Sequence, residues 1–118
     1  MDRLLRASLW LAAAVAMIFA TLPHPPALPG EPSDKTQHIL AFDVLAGLAS
    51  IAYRHISAFT LWMFLALFGA LIEFVQLIPE LGRDSDILDW LADITASALI
   101  LMLCRAGAAL LASRNRGR

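Results

Sequence analysis

The sequence predicts an all-α fold, an integral membrane four-helix bundle with both termini on the cytoplasmic side. Three observations carry that expectation. The chain is 59% hydrophobic and only 16% charged, with a mean hydropathy of +0.69, whereas an ordinary soluble domain is about 45–50% apolar and about 25% charged. The apolar excess is concentrated in runs close to the ~20 residues that cross a bilayer. Between the runs lie prolines, glycine and charge. At 118 residues the chain is one domain, 1–118, and it contains no internal repeat. A net charge of −1 gives no electrostatic basis for a nucleic-acid partner. The single cysteine, Cys104, cannot form an intrachain disulfide and reads as a small apolar residue.

The first helix is expected over about 4–22. Arg3 and Arg6 precede its apolar run, as in a signal peptide. Cleavage after Ala20 would place Ile18 where a small residue is needed, so an uncleaved span is expected. Pro23, Pro25, Pro26, Pro29 and Pro32 follow. Proline lacks a backbone donor and fixes φ, so 23–33 reads as an extended strap on the outer surface. Ser33 or Asp34 then caps a second helix over about 36–53. Its stretch Ile39–Tyr53 covers only about 22 Å at 1.5 Å per residue and must borrow Thr36–His38 to cross. Its small residues Ala46, Gly47, Ala49 and Ser50 favour close helix contact. Arg54-His55 is a turn. The third helix, about 57–78, is ended by Pro79 and Gly82. The fourth, about 86–104, starts at Ser85 or Asp86 and leads towards Leu111 and a tail with Arg114, Arg116 and Arg118. Trp10, Trp62 and Trp90 are expected as interface anchors.

Orientation follows from the cations. With four spans and the N-terminus inside, the inner side holds Arg3, Arg6, Arg54, Arg105, Arg114, Arg116 and Arg118, against only Lys35 and Arg83 outside. The outer ends of helices two, three and four then share one depth. On the third helix Ala66, Gly69, Glu73 and Gln76 form one stripe; on the fourth, Asp86, Asp89, Asp93 and Ser97 do. Lipid cannot solvate such groups, so Asp34, Lys35, His38, Glu73, Gln76, Arg83, Asp86, Asp89 and Asp93 are expected to meet in a shared polar pocket. Lys35 and Arg83 neutralise some of the carboxylates; protons or a bound cation must supply the rest. Asp43 falls about 130° or more from His38 on the helical wheel, and its role stays open.

These residues resemble the VanZ-like family of small bacterial membrane proteins, named after a member linked to resistance to the glycopeptide teicoplanin. The likeness rests on Asp34-Lys35-x-x-His38, Glu73-x-x-Gln76 and Gly82-Arg83-x-x-Asp86-x-x-Asp89-x-x-x-Asp93, in that order at helix ends, and covers roughly Asp34 to Leu103. It implies a multi-pass protein of the bacterial cytoplasmic membrane with a loose tie to the cell envelope; it implies no mechanism. The family usually carries Asn where this chain has Asp93, so the charge balance of the pocket differs here.

Several functions compete. The first is an envelope-facing binding protein whose outer pocket engages a cell-wall precursor, a lipid head group or a glycopeptide. Lys35 and Arg83 would hold an anionic group, and Glu73, Asp89 and Asp93 would position the ligand or a cation. The second is an intramembrane hydrolase or transferase, with His38 as general base and Glu73 or Asp89 orienting it or acting as acid. A metal version would use His38 plus carboxylates on an oxygen-rich ion, but a single pocket histidine without a Cys pair or HExxH is a poor metal signature, so no cofactor and no metal are expected. Transport is disfavoured, because small multidrug exporters carry a key carboxylate in the first helix and this one has none from Arg6 to Leu22. The plain alternative is a scaffold whose charges merely clamp helices. Membrane lipid is the one partner every reading requires, and the oligomeric state is left open.

Overall fold

The computed structural model describes residues 2–21, 34–81 and 86–118. Among them are four α-helices, α1 (Asp2–Thr21), α2 (Asp34–Ala52), α3 (Ala58–Val75) and α4 (Ile87–Arg116), with a 3₁₀ turn over Pro79–Leu81. The expected Pro-rich strap at 23–33 lies outside the described residues. Helices α1, α3 and α4 are long and apolar enough to cross a membrane, while the apolar stretch of α2, Thr36–Ala52, is shorter. α2 still carries the chain from one end to the other. His38 lines a groove with Ala20 of α1, and Ala52 accepts a hydrogen bond from Arg6 Nε (3.4 Å). The protein is therefore a multi-span helical membrane protein.

Burial shows which helix is central. Phe42, Leu45, Ala46, Ala49 and Ser50 of α2 are buried, at the spacing of one broad helical face. They pack with Leu61, Leu65 and Ile72 of α3, Leu101 of α4 and Leu9 of α1. The outside is apolar: Leu11, Phe59, Phe64 and Leu103 are 67–68% exposed. Such a surface is a liability in water and the expected coat in lipid.

Two interlocks set the register. α3 and α4 run antiparallel and exchange indole bonds: Trp62 Nε1 donates to Ile94 O (2.8 Å) and Trp90 Nε1 to Ala66 O (2.9 Å). These tryptophans thus clamp α3 to α4. A helical carbonyl keeps a spare lone pair, and each indole N–H uses one. α2 and α4 run parallel, and Asp93, Ser97, Leu101 and Arg105, each four residues apart, form the seam of α4 towards α2. Ser97 is fully buried and turns its hydroxyl back to Asp93 O (2.8 Å), leaving only a small side chain in the seam.

Helix ends differ from expectation for clear reasons. α3 stops at Val75, with Gln76 as its C-cap, not at Ile78. Pro79 has no N–H for the Val75 carbonyl, which is served by Ile78 N instead (3.1 Å). α4 continues to Arg116, well beyond 104. Its 30 residues make about 45 Å, so its C-terminal turns extend past the bundle, and Arg114 and Arg116 suit the negative end of the helix dipole. At that same end Arg105 donates to Ser50 Oγ (3.2 Å), Arg54 O (3.1 Å) and Tyr53 O (3.2 Å). It thereby serves the Arg54 carbonyl and adds a second donor to Tyr53 O, which Ile56 N also meets (3.0 Å). Arg6 lies 4.8 Å over the Tyr53 ring.

Two substitutions test this packing. A Cβ at Gly69 would stand 3.1 Å from both Phe42 Cζ and Trp90 Cδ1, whereas one at Gly47 meets nothing within 4 Å. Gly69→Val is expected to cost about 1–3 kcal/mol and to lower the melting temperature in detergent, with Gly47→Ala leaving it unchanged. Arg105→Ala removes the bonds to Ser50 Oγ, Arg54 O and Tyr53 O and is expected to cost about 1–3 kcal/mol in the same melts, and Arg105→Lys to recover only part of the loss.

Candidate functional site

At the end of the bundle opposite these arginines, three helices each deliver one ionisable side chain to a common point. His38 comes from the first turns of α2, Glu73 from the last turn of α3, and Asp93 from the second turn of α4. His38 Nδ1 lies 3.4 Å from Asp93 Oδ2 and 3.9 Å from Glu73 Oε1. One donor atom from each residue falls within 4.8 Å of the others. Asp93 is 1% exposed and Glu73 9%. The nearer contact is longer than an ordinary N–H···O bond of about 2.7–3.2 Å. His38 Nδ1 and Asp93 Oδ1 are buried without a hydrogen-bond partner.

The local sequence explains how the side chains are held. Asp86 is the N-cap of α4: its carboxylate accepts from Leu88 N (2.9 Å) while its own backbone N–H donates to Glu73 Oε2 (3.1 Å). One residue thus starts α4 and fixes the Glu73 carboxylate against it. Ile72, Phe42 and Ser97 around the cluster are buried, so the carboxylates sit where water is scarce. Charge there must be matched by protons, by a cation, or by polar partners.

Of the expected pocket residues, His38, Glu73 and Asp93 meet directly. Asp89 is half-buried one turn before Asp93, and its charge acts on both His38 and Asp93. Asp86 is exposed and serves as cap and strut, not as a pocket wall. Gln76 is buried but turned elsewhere: its Nε2 donates to Ala20 O at the end of α1 (2.9 Å). It ties α1 to α3. Arg83 and the side chains of Asp34 and Lys35 lie outside the described residues, so the expected cationic partners do too. Asp43 stands apart, with Oδ1 buried and lacking a hydrogen-bond partner.

Sequence reasoning underrated one residue. It named Glu73 or Asp89 as the partner of His38, whereas the nearest carboxylate is Asp93. Depth was the available signal: of the α4 carboxylates, Asp93 lies farthest into the apolar run, where the demand for a partner is greatest. The metal signature looked poor because the three ligand-type side chains are 35 and 20 residues apart in sequence and belong to no local motif.

A groove leads to His38 from the side. Ala16, Phe19 and Ala20 of α1 face Gln37, His38, Ala41 and Phe42 of α2 and Ile72 of α3 across a space of ≈ 70 Å³. The walls are largely apolar and the polar end is His38 with Gln37. No protein-family model matches the chain, and no curated protein or solved structure shows significant similarity to it.

The clamp role of Gln76 is separable from the cluster. Gln76→Glu replaces the N–H donor with an oxygen facing Ala20 O and is expected to lower stability by about 1–3 kcal/mol, read as a loss of melting temperature. Gln76→Leu should cost less, since only the acceptor is left unserved.

Proposed function

We propose that the chain is an envelope-facing, VanZ-like protein of the bacterial cytoplasmic membrane whose polar pocket binds an envelope component or glycopeptide, or modulates access to one. The observation that carries this reading is the convergence of His38, Glu73 and Asp93 from three helices beside a groove between α1 and α2. A helical scaffold has no need of a buried carboxylate oxygen without a partner; a receptor does.

Three features support it. Arg6, Arg54 and Arg105 gather at the end opposite the cluster, which fits the positive-inside tendency for an arrangement with that end and both termini in the cytoplasm and the cluster outside. The described side chains of the pocket are rich in acceptors, which suits the amine and hydroxyl groups of a cell-wall precursor, lipid head group or glycopeptide. The groove is apolar and narrow, which suits an acyl or prenyl chain attached to such a head group. In this reading Lys35 and Arg83 hold the anionic portion of the ligand.

A second reading has one observation in its favour. His38 Nδ1 faces Asp93 Oδ2, the arrangement in which a carboxylate orients a general base. A hydrolase or transferase acting on an envelope lipid would use His38 on a substrate entering by the groove.

The test is susceptibility of cells producing the protein to teicoplanin, with abundance in the membrane measured alongside, and lipids retained by the purified protein identified by native mass spectrometry. His38→Gln and Asp93→Leu are expected to remove protection and lipid retention at unchanged abundance. Full protection and unchanged retention in both variants would sink the reading. Turnover of a retained lipid by wild-type protein, lost in His38→Gln, would select the enzymatic reading.

A further inference from the structure

We infer that His38, Glu73 and Asp93 form a binding site for one divalent transition-metal ion, with Zn²⁺ the best fit, within the membrane-embedded end of the bundle. The inference deepens the pocket reading above and rests on it only for the role of the bound ion.

Geometry is the first support. A tetrahedral ion bound at about 2.0–2.2 Å by nitrogen and oxygen separates its ligand atoms by about 3.3–3.6 Å. His38 Nδ1 and Asp93 Oδ2 are 3.4 Å apart, which is long for a hydrogen bond and correct for a tetrahedral edge. The 3.9 Å between His38 Nδ1 and Glu73 Oε1, and the 4.8 Å within which all three ligand atoms fall, require the Glu73 side chain to move inward on binding. The second support is the buried Asp93 carboxylate. Its Oδ1 has no hydrogen-bond partner, and neither has His38 Nδ1, yet both sit at the point where the three helices meet. Native proteins rarely leave such atoms unserved without a bound species to meet them.

Charge is the third support. Two carboxylates and a neutral imidazole carry −2, which a divalent ion cancels, and a neutral cluster is far cheaper to bury than a charged one. Asp89, close enough to act on His38 and Asp93, adds to the attraction for a cation. The ligand set also selects the ion. One imidazole with two carboxylates is too hard for Cu(I), and its imidazole distinguishes it from the all-oxygen cages of Ca²⁺ and Mg²⁺. The outer contacts are of the kind that hold a metal ligand in place: the Asp86 backbone N–H fixes Glu73 Oε2 (3.1 Å) and turns Oε1 towards His38. Three protein ligands leave a fourth position for water or for a ligand head group, reached by the groove that His38 lines.

The experiment titrates Zn²⁺, and Co²⁺ as its coloured substitute, into the full chain in detergent micelles after chelator treatment, with metal content measured on the protein as purified. One equivalent is expected to bind, with the Co²⁺ spectrum of a four-coordinate site. His38→Gln, Glu73→Gln and Asp93→Asn should each weaken binding by at least about tenfold, and Cys104→Ser and His55→Gln should leave it unchanged. Circular dichroism identifies any variant that fails to fold, and the remaining ligand variants then decide. Wild-type protein that is folded and binds no Zn²⁺ at about 100 µM, or binding indifferent to all three ligand substitutions, overturns the inference. Retained envelope lipid without metal would leave the pocket reading standing and remove this one; one equivalent of Zn²⁺ with no envelope ligand would do the reverse.

Discussion

The structure depends on a constraint set by its solvent. Within lipid no water serves a polar group, so each one must be met from another helix or from its own. Several described polar side chains between the helices do so by donating to a backbone carbonyl. Trp62 uses Ile94 O, Trp90 uses Ala66 O and Gln76 uses Ala20 O, while Arg105 uses the carbonyls of Tyr53 and Arg54. Carbonyls in a helix are fixed in space and retain an unused lone pair, which makes them dependable acceptors for locking helix register.

Against that background the His38–Glu73–Asp93 cluster is different in kind. It joins side chains from three helices to one another, with the Asp86 backbone N–H held on Glu73 Oε2, and it leaves His38 Nδ1 and Asp93 Oδ1 without a hydrogen bond. The surrounding ties hold it in that state. The indole exchange between α3 and α4 and the Asp86 bond to Glu73 fix two of the helices that carry the carboxylates. Phe42, packed on Gly69, fixes the α2 turn that follows His38. The cluster is therefore held partly by the Asp86 bond to Glu73 and partly by packing outside it, which is how a preorganised site is expected to be built.

The two ends of the bundle divide the work. One end gathers arginines on the last carbonyls of α2, with Arg54 beside Asp2 at 3.4 Å, and lets α4 run on as an exposed helix. The other gathers carboxylates and an imidazole beside a lateral groove. Among the described residues the two ends of the bundle therefore differ in the polar groups they carry.

Much of this was legible in the sequence. Hydropathy and length determined an all-α, multi-span chain, because backbone in lipid must form helix to satisfy itself. Spacing determined that Gly69, Glu73 and Gln76 share a face of α3 and that Asp93 and Ser97 share one of α4, because a helix repeats every 3.6 residues. A cap at Ser85 or Asp86 followed from their side chains, and Asp86 takes it. Tertiary structure alone decided the rest. Whether Gln76 points at the cluster or at Ala20, and whether Trp62 and Trp90 face the interface or clamp α3 to α4, depends on which helix lies alongside. The pairing of His38 with Asp93 in preference to Asp89 depends on the parallel register of α2 and α4. Periodicity names the residues on a face; only packed neighbours, brought together across dozens of residues of chain, determine what that face meets.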